Sequence, residues 1–502
     1  MKLKDLLSEF EHSVVLQGNI DADITGLAID SRKVKSGDLF IAIKGRDSDG
    51  HDYISMAVQN GANALIIDND KSEYCKNEIK SGSCEIKADD KISSVSFIGV
   101  KNTRDVLSKI SNHFYGYPAK KFNLIGVTGT NGKTSVTVIL RHILNSLGRK
   151  TGLIGTIANY CGDEVVNIDK TTPTTPDCVE LAQIMETMAQ NDVEDVIMEV
   201  SSMGLKTKRV RDLTFDVGVY TNISPEHLDD HGSMDDYKRS KRMLFEQSKK
   251  SVVNIDDDYA EEIVKVSGPC LKYGIRKKGP ADLYADSISY SNEGVSFRMM
   301  FGIEQFRVTL NTPSEFAVYN VLAAAGTCLQ LGIPFKEIRE PIQDEIIIPG
   351  RYEILQAEGG FTGIIDYAHT EVALENLLRA VKANPSYNRV ISVFGCGGDR
   401  DPGKREPMGK VSGENSDYTI VTSDNPRTED PQKIVDAVEE GIKKVSDNYE
   451  VIVDRKQAIK RAVEMAEKDD VIVIAGKGHE TYQILKDKTI DFDDKEIFQS
   501  FI

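Results

Sequence analysis

No stretch of this chain approaches the roughly 18 consecutive apolar residues that a membrane-spanning helix needs. No membrane insertion is therefore expected. Disulfide and zinc frameworks are missing too. The seven cysteines are scattered and odd in number, and none forms C-x-x-C or a zinc spacing. Reduced thiols in the cytoplasm are the expectation. Basic charge is not in excess: the net charge is −17, which excludes a general attraction to nucleic acid or anionic lipid. Low-complexity segments and repeats of fixed period are absent. The opening Met1-Lys2-Leu3-Lys4-Asp5-Leu6-Leu7 turns acidic too early for a signal peptide and reads as an amphipathic helix.

What is present is organised around Gly126 to Ser135, G-V-T-G-T-N-G-K-T-S. Phe122 to Ile125 ahead of it has strand character, and Val136 to Leu147 behind it is apolar at helical spacing. Strand, glycine turn and helix N-terminus together aim backbone N–H groups at one spot. Gly129, Thr130, Asn131 and Gly132 form the turn. Lys133 sits where it reaches outer phosphates, and the Thr134 hydroxyl suits Mg²⁺. The strict G-x-x-x-x-G-K-[ST] pattern is not met, because Val127 occupies its first glycine. The stretch still predicts an ATP phosphate cradle.

The 502 residues, at about 150 per domain, predict three domains of α/β class: 1–105, 106–340 and 341–502. In the first, short strands at 39–43, 64–67 and 96–100 alternate with helical stretches such as 53–60. Its segments 30–32, 37–40 and 45–51 are dense in turn residues. They read equally as anion-binding turns or as ordinary surface turns. The second has strands at 195–200, 216–221 and 251–255. The third has strands at 363–366, 390–394, 418–422 and 471–475, with helices at 371–382 and 431–445. Strands alternating with helices imply mostly parallel sheets covered on both faces, with ligands at the strands' carboxyl ends.

Those ends carry the candidate chemistry. Glu199 closes the apolar run Val196-Ile197-Met198 and is placed to hold Mg²⁺. His227, in a loop after a second strand, is a metal ligand or a ribose contact. Tyr237, Lys241 and Leu244 share one helical face, which would turn Lys241 towards the core, although most helical lysines are solvated. In the third domain G-C-G-G-D-R-D (395–401), D-N-P-R (424–427) and G-K-G-H-E (476–480) all follow strands. Arg405, Arg427 and Glu480 are expected to converge on a small ligand bearing amines and carboxylates, since an arginine binds a carboxylate through two parallel hydrogen bonds.

Together with N-I-S-P-E-H-L-D (222–229), Y-x-x-S-K-x-x-L-F (237–245), G-R-Y-E (350–353) and D-Y-A-H-T (366–370), these motifs resemble the Mur ligases. These are ATP-dependent, amide-forming enzymes of peptidoglycan synthesis. The resemblance spans essentially the whole chain and is greatest to the tripeptide-forming branch. It implies an N-terminal UDP-MurNAc-binding domain, a central P-loop ATPase domain and a C-terminal Rossmann-like, doubly wound domain. It also implies a cytoplasmic, monomeric enzyme that uses ATP and Mg²⁺. In the implied reaction, ATP phosphorylates the D-Glu γ-carboxylate of UDP-MurNAc-L-Ala-D-Glu, and a diamino acid attacks the acyl phosphate.

By the same resemblance, Glu199 and His227 bind metal, and Lys241 is carbamylated and bridges to a second Mg²⁺. Gly129 to Ser135 hold ATP, with Asn320, Arg351, Asp366 and His369. Ser31 contacts the uridine nucleotide, and Thr174, Thr175, Ser201 and Arg209 hold the muramoyl dipeptide. Arg405, Asp424, Asn425, Pro426, Arg427, Gly476 and Glu480 form the acceptor pocket. The D-N-P-R form implies meso-diaminopimelate, with Arg427 on a carboxylate and Glu480 on the distal ammonium. L-Lysine or another amine, used by a divergent paralogue, is the alternative. Departures from the family pattern stand at Met203, Thr207, Ala317, Glu371 and Val372.

Overall fold

Alternating apolar residues build the first sheet. In the computed structural model, Leu39, Ile41, Ala64, Ile66 and Ile98 face one way, against Leu3, Leu6, Leu107 and Ile110. Phe40, Leu65, Ile67 and Phe97 face the other, against Ile54, Ala57 and Val58. Burial on both faces is what a parallel sheet requires. The structure describes all residues except 10–12, 46–47, 82–94, 169–170, 227 and 292–293. His227, and Arg46 and Asp47 of the turn-rich segment, therefore lie outside the described residues.

The chain forms two compact units, Met1–Gly126 with Lys150–Asp216, and Val127–Arg149 with Val217–Ile502. In the first, a five-stranded sheet runs in the order Val14–Gln17, Ser96–Val100, Ala64–Asp68, Leu39–Ile41, Leu27–Ala28. All neighbours are parallel except the edge strand Val14–Gln17. The expected opening helix forms over Leu3–Leu7, with its leucines buried. The same unit pairs Asp195–Glu199 in parallel with Thr151–Ile154, and Asn159–Cys161 antiparallel to the latter.

In the second unit, Ser248–Asn254, Cys270–Gly274 and Leu283–Ser291 are parallel neighbours. Gly294–Phe301 and Glu304–Leu310 extend them antiparallel. Sequence reading missed this meander, whose half-exposed strands carry polar residues on alternate positions and no strand–helix alternation.

The C-terminal sheet of this unit orders Glu353–Gln356, Thr362–Asp366, Val471–Ala475, Val390–Phe394, Tyr418–Val421, Tyr449–Val451. Only Glu353–Gln356 is antiparallel. The four expected strands are all present and adjacent, so their carboxyl ends share one edge. Helix Glu371–Lys382 has its expected bounds, and Pro431–Ile442 stops short of Val445. No helix among the described residues is long and apolar enough to cross a membrane.

One buried ion pair braces this edge. Arg455, at the start of helix Arg455–Met465, and Asp494, at the start of helix Asp494–Gln499, are both fully buried. Two parallel bonds of 2.8 and 2.7 Å join them, and Arg455 Nη2 also donates to Ala475 O at 2.9 Å. Both helices are thereby pinned to the strand that leads into Gly476. Removing one partner strands a buried charge, whereas an apolar pair of similar volume does not. Asp494→Ala is expected to destabilise by about 3–5 kcal/mol in urea unfolding. Arg455→Met combined with Asp494→Leu should recover most of that loss.

Candidate functional site

Strand Asn123–Thr128 ends in a turn that only glycines can make. Gly132, the N-cap of helix Lys133–Ser146, has φ +88°, a conformation that side chains disfavour. A Cβ there would lie 2.6 Å from Asn320 Oδ1. At Gly129 a Cβ would fall 1.8 Å from Thr221 Oγ1.

The turn is held by the loop after strand Phe215–Tyr220. Thr130 N donates to Asn222 O (2.9 Å) and Asn131 N to Asn222 Oδ1 (3.0 Å). Thr221 Oγ1 donates to Asn131 O at 2.6 Å. Ser224 N donates to Thr130 Oγ1 at 3.0 Å, and the Tyr237 hydroxyl lies 3.0 Å from the same oxygen.

Two lysines meet at this turn. Lys133 Nζ donates to Gly129 O (3.0 Å) and Thr130 O (2.9 Å). Lys241 Nζ donates to the same Gly129 O at 2.8 Å. The helical face carrying Tyr237, Lys241 and Leu244 is buried, so the core orientation prevails over the solvated one. Burial, and then the Lys133 charge, push the Lys241 amine well below the usual lysine range, while Glu226 opposes them.

Glu226 also lies 3.3 Å from His369 Nε2, and His369 Nδ1 lies 2.8 Å from Tyr367 O. Arg351 stacks on the Tyr367 ring, 4.3 Å from its centroid. Asp366 accepts from Tyr352 N (2.8 Å) and Ala368 N (2.7 Å), and burial raises its carboxyl. Those bonds make it a brace for the Arg351–His369 region. Glu226 stands within N-I-S-P-E-H-L-D but carries no signal of its own in the sequence.

The acceptor motifs come together at the edge of the C-terminal sheet. Asn425 Nδ2 donates to Glu480 Oε2 at 2.9 Å. Ile484 N donates to Asn425 Oδ1 at 2.9 Å, which fixes the amide orientation. Arg427 Nη1 donates to Gly398 O at 2.7 Å, and its Nε and Nη2 have no protein partner among the described residues. Arg405 instead has its charge paired, with Nη2 bonded to both Glu429 oxygens at 2.8 and 2.9 Å, although its buried Nε has no hydrogen-bond partner among the described residues. Asp424 is buried beside Gly476, where a Cβ would lie 2.8 Å from its Oδ2. Pro426 continues the same segment, and its carbonyl would lie 2.0 Å from a Cβ at Gly398.

In the first unit, Glu199 is buried and accepts from Thr156 N (2.8 Å) and Thr156 Oγ1 (3.0 Å). The Thr174 hydroxyl lies 3.2 Å from Thr156 Oγ1, which can accept from it. Thr175 Oγ1 bridges Glu199 O (2.9 Å) and Ser201 Oγ (3.0 Å). Arg209 Nη1 donates to Thr175 O at 2.9 Å. The four residues assigned to the dipeptide thus form one network with Glu199. Arg104 supports it through Asp177 (2.9 Å) and Thr207 O (2.7 Å). Thr156 and Arg104 were missed, since neither stands in a motif of chemical type.

Ser31 is buried in a short 3-10 turn capped by Asp30, with its Oγ on Met56 Sδ. Of the departures from the family pattern, Ala317 lies in a first turn capped by Ser314, and Glu371 and Val372 in one capped by Thr370. Met203 O accepts from the Thr207 hydroxyl at 2.6 Å.

Three family models match the chain: the Mur ligase family catalytic domain over 23–115, the Mur ligase middle domain over 127–328, and the Mur ligase glutamate ligase domain over 350–478. The chain is 44% identical to a UDP-N-acetylmuramoyl-L-alanyl-D-glutamate--2,6-diaminopimelate ligase of Caldanaerobacter subterraneus subsp. tengcongensis, covering 100% of this chain and 99% of that one. It is 42% identical, with the same coverage, to the protein of that name from Clostridium botulinum. A solved structure bearing that name matches with TM-score 0.66 at 28% identity, over 100% of this chain and 98% of the other. The fold is also that of a MurF ligase from Thermotoga maritima in complex with ADP, with TM-score 0.61, 19% identity and coverage of 90% and 93%. Matched in all three parts and along its full length, this chain belongs to the Mur ligases.

Proposed function

We propose that this chain joins meso-diaminopimelate to UDP-MurNAc-L-Ala-D-Glu while cleaving ATP to ADP and phosphate. The observation that carries the reading is the meeting of Lys133 and Lys241 on one carbonyl, Gly129 O, at a helix N-terminus. The Lys133 ammonium at this helix N-terminus calls for anionic charge, and a nucleotide's outer phosphates supply it, while the Lys241 amine beside it is pushed well below the usual lysine range. A carboxylate resists amines until its oxygen becomes a good leaving group. The D-Glu γ-carboxylate oxygen therefore attacks the γ-phosphorus, and ADP leaves. The acceptor amine then attacks the acyl carbon, loses a proton, and phosphate leaves.

Lys133 and the backbone N–H groups of the turn would hold and orient the phosphates, with Thr130, Asn131 and Ser135 in the same cradle. Asn320, Arg351, Asp366 and His369 are proposed around the nucleotide. Thr174, Thr175, Ser201 and Arg209 would hold the dipeptide, and Ser31 the uridine nucleotide. Division into domains at 105/106 and 340/341, a monomeric state and a cytoplasmic location belong to the same reading.

The donor chemistry fits magnesium. Glu199 is a buried carboxylate oriented by two donors from Thr156, and Thr134 is a buried hydroxyl at the helix start. Among the described residues no group of three or more His, Cys, Asp or Glu forms a ready cage. Mg²⁺ commonly works without one, through one or two protein oxygens and substrate phosphates. Bound Mg²⁺ neutralises charge that develops on the phosphates. Thr134 and Glu199 are its proposed ligands, with His227 and carbamylated Lys241 as the family resemblance implies. Burial and the Lys133 charge push the Lys241 amine towards its neutral form, and that form suits the modification: its lone pair attacks CO₂, a proton leaves, and an anionic carbamate results.

At the acceptor end, Arg427 keeps Nε and Nη2 for a carboxylate. Glu480 faces the distal ammonium, within the pocket of Asp424, Asn425, Pro426 and Gly476. Arg405 would act through Glu429.

ADP release is expected with UDP-MurNAc-L-Ala-D-Glu and meso-diaminopimelate, and not without an amine. Release with L-lysine alone would keep the ligase and discard the acceptor assignment. Arg427→Ala should lower kcat/KM for diaminopimelate by about 2–4 kcal/mol; a full-rate variant would refute its role. Lys133→Ala should lose ATP in equilibrium binding, and unchanged affinity would remove the cradle. Activity should fall when bicarbonate and CO₂ are stripped and return on their addition. Indifference to both would argue against the carbamate.

A further inference from the structure

Lys477 is fully buried within the acceptor motifs, yet it has no part in the reading above. Its ammonium donates to Glu480 Oε2 at 3.0 Å and to Tyr482 O, and lies 3.5 Å from Asn425 Oδ1. An ammonium has three protons to give, and these three acceptors account for them. Lys477 therefore has nothing left for a ligand. What it does is hold Glu480. Oε2 of Glu480 receives Lys477 and Asn425 Nδ2, while Oε1 has no partner among the described residues. The carboxylate is thus fixed with one oxygen presented.

The frame around it is hydrogen-bonded. Hairpin Tyr482–Ile484 with Thr489–Asp491 is strapped to D-N-P-R by Gln483 Nε2 to Asp424 O (2.6 Å), Ile484 N to Asn425 Oδ1 (2.9 Å) and Arg427 N to Ile484 O (3.1 Å). Charge completes the argument. Arg427 and Lys477 carry two positive charges against two negative charges on Asp424 and Glu480, and the adjoining Arg405–Glu429 pair is neutral. A balanced pocket suits the zwitterionic distal end of diaminopimelate. Without Lys477 the balance turns negative and suits the bare ammonium of lysine.

We propose that Lys477 is a positioning residue that sets acceptor specificity, by fixing Glu480 and by balancing the pocket for a zwitterion rather than a cation. The inference rests on the acceptor assignment made above, which wild-type ADP release tests separately.

The experiment measures kcat/KM for meso-diaminopimelate and for L-lysine in wild type, Lys477→Met, Glu480→Gln and the double variant. Lys477→Met should lower the diaminopimelate-to-lysine ratio by roughly tenfold, mainly through KM for diaminopimelate, with KM for ATP and the dipeptide nucleotide unchanged. A merely structural lysine would lower both acceptors equally and leave the ratio alone, which would overturn the proposal. The double variant should bind diaminopimelate no worse than Glu480→Gln, because Lys477 acts through Glu480; additive losses would contradict it. Glu480→Gln keeps the Lys477 side chain in place and leaves the pocket one charge more positive. It should weaken both acceptors but raise the ratio, and an unchanged ratio there would also overturn the proposal.

Discussion

Everything at the nucleotide end follows from two lysines sharing one carbonyl oxygen. Gly129 O accepts from Lys133 and from Lys241, and the second ammonium is buried. Like charges close together in a dehydrated place repel, so one must lose its proton or both must gain an anion. The surrounding protein enforces the encounter. Lys133 is fixed by the helix start, and Lys241 by the burial of Tyr237 and Leu244 on its own face. The turn between them is clamped by Thr221, Asn222 and Ser224. The arrangement leaves the Lys133 ammonium to meet a phosphate chain and pushes the buried Lys241 amine towards its neutral form.

The acceptor end uses a different device. Its residues lie on turns, and turns position side chains loosely unless something supports them. Support comes from behind. The 482–491 hairpin is hydrogen-bonded to D-N-P-R, and the buried Arg455–Asp494 pair pins two helices to the strand leading into Gly476. The result is a sharply chosen difference between two arginines of one motif region. Arg405 has its charge paired by Glu429, whereas Arg427 donates to backbone carbonyls and has no carboxylate partner among the described residues. Arginine carries a permanent charge on a fixed fork of five donors, so the one whose charge no carboxylate has paired is the one left to meet the ligand's carboxylate.

The strands and helices of the α/β layers were legible because buried parallel strands are short apolar runs and their covering helices are strongly periodic. Strand ends at Asp366, Phe394 and Ala475 could be read for the same reason, those at Glu199 and Val421 to within one residue, and the motifs sit on them. The antiparallel meander over 283–310 was not legible, because half-exposed strands dilute the apolar signal. Neither were the supporting residues. Thr156 beneath Glu199, Arg104 behind Asp177, Glu226 beside His369 and Lys477 behind Glu480 are ordinary residue types, and partners distant in sequence give each its meaning.

The sequence by itself determined the α/β class, the glycine turn with its lysine, and the chemical kinds of group at each strand end. Those features are local, since backbone conformation and residue type depend on near neighbours. Only the tertiary structure decided that Lys241 points inward, that Arg405 is neutralised while Arg427 is not, and that Lys477 rather than solvent holds Glu480. Each is settled by burial and by a hydrogen-bond partner from another element. Charge state and side-chain direction are properties of a surrounding, and a surrounding exists only once the chain has folded.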